Sequence, residues 1–214
     1  MNPHQKSAKQ AEIRLIFQAL RQHRQSRFYR RGAKIFQAGP TTGFGAKLRA
    51  LQRTEPAYGR AKLRPEQHMA EFGRSVGEEL LEPTRIYVRE VLDVLRSGVQ
   101  VKAMAHITSD GLTNLLRVQA AVGYVLDTLP EPPPVFRLLQ RLGGVSDEEM
   151  FQVYNMGVGF GLVVAAADAD RALETLRRQG AAPLVLGRAV ADPDRTVRLP
   201  NGLVGQGNDF RRSR

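Results

Sequence analysis

Residues 101–111 read Val-Lys-Ala-Met-Ala-His-Ile-Thr-Ser-Asp-Gly. The apolar first half is typical of a β-strand, and the polar second half with its glycine is typical of a turn. Such a turn can hold a phosphate or a sugar, although an ordinary connection after a strand has the same pattern. The predicted ligand-binding groups at this strand end come from His106, Thr108, Ser109, Asp110 and Gly111. For His106 a structural hydrogen bond is the alternative to a substrate contact.

The segments around this strand alternate between helical and strand patterns. A short helix over 66–82, ending before Pro83, and a second helix over 84–96 are predicted to precede it. This alternation predicts an α/β (α+β) fold in which one sheet is packed with helices. The later predicted elements are a short helix or turn at 111–118, strands at 122–128, 154–165, 183–190 and 196–199, and helices at 134–142, from 146 and at 167–180.

The strand predicted over 154–165 carries glycine at positions 157, 159 and 161. Because side chains alternate along a strand, the three glycines are expected on one face. A bare face lets a ligand or another part of the chain approach closely, and the pattern leaves both interpretations open. With the amide of Asn155 just before the strand, Gly157 and Gly159 are candidate contacts for a ligand.

Charge divides the chain into two parts. Residues 1–64 contain fifteen lysine and arginine residues but only two acidic residues, Glu12 and Glu55, a net charge of +13. The rest holds seventeen basic and nineteen acidic residues, a net charge of −2, so the total of +11 comes from one segment. We therefore predict a basic, partly helical and loosely ordered arm over 1–64, an α/β domain over 65–200 and a frayed tail over 201–214.

The basic arm is expected to contain an amphipathic helix over 8–25, with apolar residues at helical spacing. A cluster of cations and aromatic rings follows it and could track a nucleic-acid backbone while stacking on bases. An anionic membrane surface and a solvated tail without a partner are the alternatives. The residues of this cluster are Arg24, Arg27, Phe28, Tyr29, Arg30, Arg31 and Lys34.

Composition excludes several classes of site. The chain has no cysteine, which excludes disulfides, cysteine-ligated zinc, iron–sulfur clusters and a thiol nucleophile. No apolar run approaches the roughly 18 residues that a membrane-spanning helix needs. We therefore predict no membrane span, no metal site and a cytoplasmic protein.

Several stretches together resemble the C-terminal domain of aminoimidazole ribonucleotide synthetase, also called phosphoribosylformylglycinamidine cyclo-ligase. They occur in the family's order and at its spacing, over about residues 71–190. The stretches are Gly77-Glu-Glu-Leu-Leu-Glu-Pro-Thr-Arg-Ile-Tyr87, Val101-Lys-Ala-Met-Ala-His-Ile-Thr108, Pro133-Pro-Val-Phe136, Glu148-Glu-Met150, Tyr154-Asn-Met-Gly-Val-Gly159 and Val185-Leu-Gly-Arg188.

The resemblance implies a role in purine biosynthesis. Family members are usually homodimers of two-domain subunits that use ATP and magnesium to close the imidazole ring of formylglycinamidine ribonucleotide. The acidic and glycine-rich segments of the ATP-binding N-terminal domain have no counterpart in residues 1–64. We therefore expect a truncated or split cyclo-ligase that alone binds neither ATP nor magnesium, holds no catalytic residue and needs a separate N-terminal domain or a second copy. Whether it acts as an enzyme stays open, and a nucleic-acid- or ribosome-associated module is the alternative.

The resemblance also implies that the strand end at 106–111 and the glycine segment at 155–159 contact the substrate. The family usually continues from the Thr108 position with glycines, whereas this chain has Ser109 and Asp110. A carboxylate at position 110 would repel a substrate phosphate, which argues against phosphate binding by this loop.

Overall fold

The structure, a computed structural model, describes residues 13–19, 63–108 and 110–213. Within these ranges the α-helices are α1 Val76–Leu81, α2 Val88–Arg96, α3 Pro134–Gly143, α4 Asp147–Val153 and α5 Ala169–Arg178, with 3₁₀ helices at Gly111–Arg117 and Ala166–Asp168. The strands are β1 Ile13–Ala19, β2 His68–Met69, β3 Arg74–Ser75, β4 Val101–His106, β5 Val122–Leu126, β6 Val158–Ala165, β7 Pro183–Ala191, β8 Thr196–Arg198, β9 Leu203–Gln206 and β10 Asp209–Arg212.

One large sheet organises the domain. Its eight strands lie in the order β10-β9-β8-β5-β7-β1-β6-β4, and β2 and β3 form a separate hairpin. Neighbouring strands are antiparallel except for β5 and β8, which are parallel. The predicted mixed α/β class, with one sheet and packed helices, is confirmed. Strand β4, which carries the candidate site at its end, is the outermost strand on its side among the described residues.

Helices cover both faces of the sheet. Along β6, Val163 belongs to one apolar cluster, whereas Leu162 and Val164 belong to another, as the alternation of side chains along a strand requires. The larger cluster lies under α3, α4 and the 3₁₀ helix Gly111–Arg117. The smaller cluster lies under α2 and α5. The candidate site is therefore carried by an edge strand between two helical layers.

The prediction of a helix over 8–25 is wrong at its centre, because Ile13–Ala19 is the strand β1. This strand pairs antiparallel with β6 on one side and with β7 on the other. A short apolar run such as Ile-Arg-Leu-Ile-Phe fits both a helix and a buried strand, so periodicity alone could not decide. The remaining part of the predicted helix lies outside the described residues, and the division at residue 64 stays a prediction.

Two other predicted elements are corrected, the helix over 66–82 and the start of the helix over 84–96. The region 66–82 is not one helix, because the hairpin of β2 and β3 precedes α1. Ser75 starts α1 as its N-cap, and the Ser75 hydroxyl accepts the N–H of Glu78 at 3.2 Å while the Glu78 carboxylate accepts the N–H of Ser75 at 2.9 Å. This reciprocal capping fixes the helix start ten residues later than predicted. The following helix, α2, begins at 88 rather than 84.

The prediction of a frayed tail over 201–214 is also wrong. Strands β9 and β10 form a hairpin that joins the sheet through β8. Leu203 and Phe210 are buried in the larger apolar cluster. Burial alternates along β9 and peaks at Phe210 in β10, so the hairpin has an inward face that the glycine and arginine content concealed. No helix within the described ranges is long and apolar enough to cross a membrane.

Candidate functional site

Three aromatic rings meet at the end of strand β4. His106 pairs with Phe160 of β6 and remains exposed at the edge of the sheet. The ring centroids of His106 and Tyr87 lie 6.0 Å apart in an edge-to-face arrangement, and those of Tyr87 and Phe160 lie 5.4 Å apart. Tyr87, which directly precedes α2, was not among the predicted site residues. Its position within the quoted Arg-Ile-Tyr stretch was the available signal.

The turn after β4 is closed by its own hydrogen bonds. Asp110 has a left-handed backbone conformation, with φ of 73°. Its carbonyl oxygen accepts the Thr113 hydroxyl at 2.6 Å, and its carboxylate forms an ion pair with Arg117 at 2.8 Å. The N–H of Gly111 donates to the carbonyl oxygen of Thr108 at 3.2 Å. The N–H of Gly111, predicted to face a ligand, is therefore used inside the turn; Ser109 lies outside the described residues.

Gly111 is pressed against helix α4. A Cβ atom at this position would overlap the carbonyl oxygen of Phe151 and lie 2.8 Å from that of Tyr154. These carbonyl groups stand in the last turn of α4 and at its C-cap, Tyr154, which directly precedes Asn155. The structure thus brings the strand end at 106–111 close to the segment at 155–159, but the side of Gly111 that lacks a side chain faces protein atoms.

The glycine segment differs from its prediction. Strand β6 begins at Val158, so Gly157 precedes it with φ of +91°, and the pairing with β1 shifts register at Gly159. The three glycines therefore do not form one continuous bare face. Asn155 forms a local turn, in which its Oδ1 accepts the N–H of Gly157 at 3.0 Å.

Tyr87 fills the space beside Gly159. A Cβ atom on Gly159 would overlap the Tyr87 hydroxyl and lie 2.7 Å from Cζ of the same ring. The backbone also ties the two stretches together, since the N–H of Ile107 donates to the carbonyl oxygen of Gly159 at 2.9 Å. Of the two interpretations left open by the sequence, close packing within the chain is the one observed at Gly159.

Desolvation favours the neutral form of the titratable rings of the site. Desolvation lowers the pKa of His106 below its ordinary value, so its imidazole is neutral at pH 7. Burial raises the pKa of Tyr87, and it raises the pKa of Tyr154 to about 12. The site therefore offers a neutral imidazole and the Tyr87 phenol, which can exchange hydrogen bonds with a ligand oxygen. The Tyr154 ring is instead buried against Phe136 in the larger apolar cluster.

The described residues do not fit a magnesium–nucleotide site. They contain no group of three or more histidine, aspartate or glutamate side chains that could hold a metal ion. The one carboxylate among the predicted site residues, that of Asp110, is already paired with Arg117. Hard cations such as magnesium need oxygen ligands, usually carboxylates together with the phosphates of the nucleotide. The predicted nucleic-acid cluster at 24–34 lies outside the residues that the structure describes.

A family model described as "AIR synthase related protein, C-terminal domain" matches residues 30–200. The chain belongs to this family. The resemblance predicted from the sequence is thereby confirmed, and the match extends into the segment that charge had separated as an arm.

Curated relatives carry the name phosphoribosylformylglycinamidine cyclo-ligase. The relative from Methanocaldococcus jannaschii is 45% identical over 120 residues, which are 56% of this chain and 34% of the relative. The relative from Methanothermobacter thermautotrophicus is 50% identical over 115 residues, 54% of this chain and 34% of the relative. The chain thus spans about a third of the length of the curated relatives it matches.

Among solved structures, the hydrogenase maturation protein HypE of E. coli matches with a TM-score of 0.49 and 18% identity. That match covers 95% of this chain and 49% of HypE. Similarity at this level does not support a functional assignment for the AIR synthase related domain.

Proposed function

We propose that this chain is the C-terminal part of a phosphoribosylformylglycinamidine cyclo-ligase and performs no ring closure alone. The observation that carries the proposal is the 44–50% identity to proteins of that name over a third of their length. The remaining two thirds of those relatives have no match in the chain. Residues 1–64, with two carboxylates against fifteen cations, offer no substitute for a site that binds magnesium and ATP.

In this proposal the AIR synthase related domain holds the ribonucleotide substrate at the end of β4. His106 is exposed and neutral, and the Thr108 hydroxyl follows it by two residues. Asn155 uses Oδ1 in its own turn, which leaves the Nδ2 group as a donor for a substrate oxygen. The nucleotide phosphates and the metal would be held by a separate chain or domain, and the order of chemical steps belongs to that complete enzyme.

A turnover assay tests the first half of the proposal. The purified 214-residue chain, mixed with ATP, magnesium and formylglycinamidine ribonucleotide, should release no ADP above the rate without protein. Adding the purified N-terminal two thirds of the Methanocaldococcus jannaschii relative should restore turnover if a partner supplies the missing groups. Turnover by the chain alone would contradict the proposal.

Isothermal titration with the ribonucleotide tests the second half. His106→Ala should weaken binding by roughly tenfold, since one hydrogen bond to a bound ligand contributes about 1 kcal/mol or more. Lys102→Ala is the matched control, because it lies on the same strand and is also exposed. Equal effects of the two substitutions, or no ribonucleotide binding by the parent chain, would remove the substrate role from this strand end.

A nucleic-acid-binding role is the second candidate, favoured by the net charge of +13 in residues 1–64. Deletion of this segment is a poor test, because it removes β1 from the sheet. Replacing Arg27, Arg30 and Arg31 with glutamine retains the strand. If the three cations contact phosphates of RNA, the slope of log affinity against log salt should fall by about 2–3 units. An unchanged slope would exclude these residues from such an interface.

A further inference from the structure

A concave surface lies beside the 3₁₀ helix Gly111–Arg117. It has a volume of about 290 Å³. Three segments form it: the 3₁₀ helix, the turn between β7 and β8, and the turn between β9 and β10. We call it the arginine cleft, and its lining residues are Thr113, Leu116, Arg117, Asp194, Arg195, Gly207 and Asn208.

The walls of the arginine cleft are fixed relative to one another. The Asp192 carboxylate accepts the N–H of Asp194 at 3.0 Å and both the N–H and the hydroxyl of Thr196, at 3.1 and 2.6 Å. The side-chain amide of Gln206 donates to the carbonyl oxygen of Asp194 at 3.2 Å, which ties the β9–β10 hairpin to the turn. A site whose walls are already in place loses little entropy when a ligand binds.

Arg195 is unusual in two independent ways. Its backbone has φ of 53°, a conformation that residues other than glycine rarely adopt. Its Nη2 group donates to the carbonyl oxygens of Leu116 and Val118, the latter at 3.1 Å, whereas its Nε is buried and makes no hydrogen bond within the described part of the chain. Arg195 is thus a residue with a strained backbone and an unsatisfied buried donor at a concave surface.

Arg117 supplies a second, accessible cation. Its side chain is 64% exposed and contacts the Asp110 carboxylate through Nη2 alone. Because a guanidinium group has five N–H donors in a planar fork, one carboxylate contact leaves donors for a second oxyanion. Asp194 on the rim and Asp110, the partner of Arg117, balance the charges of Arg117 and Arg195, so an oxyanion would be held by the remaining N–H donors of Arg117.

We propose that the arginine cleft binds an oxyanion, the phosphate group of a small phosphorylated metabolite. Arg117 would bind the phosphate directly, and Arg195 would contribute its charge from the base of the cleft. The proposal goes beyond the cyclo-ligase function: the cleft contains none of the residues proposed to contact the ribonucleotide, and its Gly207–Asn208 wall lies after residue 200, where the family match ends.

Equilibrium titrations of the full chain with inorganic phosphate and with ribose 5-phosphate test the cleft, with ribose as the uncharged control. Arg117→Gln should weaken binding of the charged probes about tenfold, and Asp194→Asn should tighten it several-fold by removing a like charge. Tighter binding of ribose 5-phosphate than of phosphate identifies a phosphate ester as the preferred ligand, and equal affinities identify the free anion.

The matched control is Arg89→Gln. Arg89 is also an exposed arginine but lies on α2, on the opposite face of the sheet. It corrects for weak anion binding by the basic residues 1–64. Equal losses for Arg89→Gln and Arg117→Gln, or weaker binding by Asp194→Asn, would overturn the proposal. Since both Arg117 and Asp194 are exposed, these variants should retain the circular dichroism spectrum of the parent. Loss of ribonucleotide binding at His106 would leave this test of the arginine cleft unaffected.

Discussion

Gly111 and Gly159 both belong to segments whose glycines suggest space for a ligand. In both cases the protein itself occupies the space beside the glycine, but with different kinds of atoms. Gly111 meets the backbone carbonyl groups of Phe151 and Tyr154, which helix α4 holds in place. Gly159 meets the hydroxyl end of one side chain, Tyr87. The comparison shows that a missing side chain can serve close packing between secondary-structure elements, and that the atoms on the other side decide how strictly glycine is required.

The largest expected effect is at Gly111. Gly111→Ala places a Cβ atom into backbone that cannot move without displacing α4, and it adds strain at φ of +52°. We expect a loss of more than about 4 kcal/mol in the free energy of unfolding, or no cooperative fold at all. Urea unfolding followed by circular dichroism measures it.

Gly144→Ala is the matched control for Gly111→Ala. Gly144 ends α3 with φ of +60°, but nothing lies within 4 Å of the added Cβ. This variant should therefore show only the backbone strain, about 1–2 kcal/mol. If both variants lose the same free energy, the contact of Gly111 with α4 is unimportant and the comparison fails.

Gly159→Ala should have a smaller effect, about 1–3 kcal/mol, because the Tyr87 ring can shift. Tyr87→Phe removes the hydroxyl that overlaps the new Cβ, but Cζ at 2.7 Å remains. The double variant should therefore recover part of the loss, with a coupling energy of at least about 0.5 kcal/mol in a double-mutant cycle. Strict additivity would show that Tyr87 does not occupy the space beside Gly159.

Substitutions of Asp110 should change the free energy of unfolding by about 1 kcal/mol or less. Its positive φ favours glycine, whereas its ion pair with Arg117 is exposed and contributes little. Asp110→Gly should be more stable than Asp110→Asn by about 0.5–1 kcal/mol, since both remove the charge and only glycine relieves the backbone. Thermal unfolding of the two variants measures the difference, and a less stable glycine variant would contradict it.

The smallest expected effect is the pH dependence that His106 contributes. Desolvation lowers the pKa of His106 in the folded state, so the unfolded chain takes up the proton first as the pH falls. The stability linked to this group is therefore complete above about pH 6.5, the ordinary histidine value, and is lost as the pH falls through the folded pKa.

Unfolding midpoints in urea between pH 5 and 8 test this dependence. His106→Gln should flatten the decline on the acidic side. A steeper acidic decline in the His106→Gln variant would reverse the expected sign and show that the imidazole is stabilised in its charged form.

The sequence determined the class of the fold and most of its elements. Helices α3 and α5 and strands β4, β5 and β7 were predicted within a few residues, because their apolar periodicity and their proline and glycine boundaries agree with one another. The quoted stretches around His106 and Asn155 were also sufficient for the family, since they preserve both residue types and spacing. Composition alone identified the charge boundary near residue 64.

Tertiary structure alone decided that β1 is a strand and not a helix, that the segment after residue 200 folds as a hairpin, and which atoms contact Gly111 and Gly159. Ile13–Ala19 is a strand because it fits between β6 and β7, a partner choice that its own sequence does not contain. Gly111 and Gly159 are required by Phe151 and Tyr87, which are 40 and 72 residues away in sequence. The arginine cleft likewise joins three distant segments. Each of these features depends on which atoms meet across the folded chain, and local propensity carries no information about such long-range contacts.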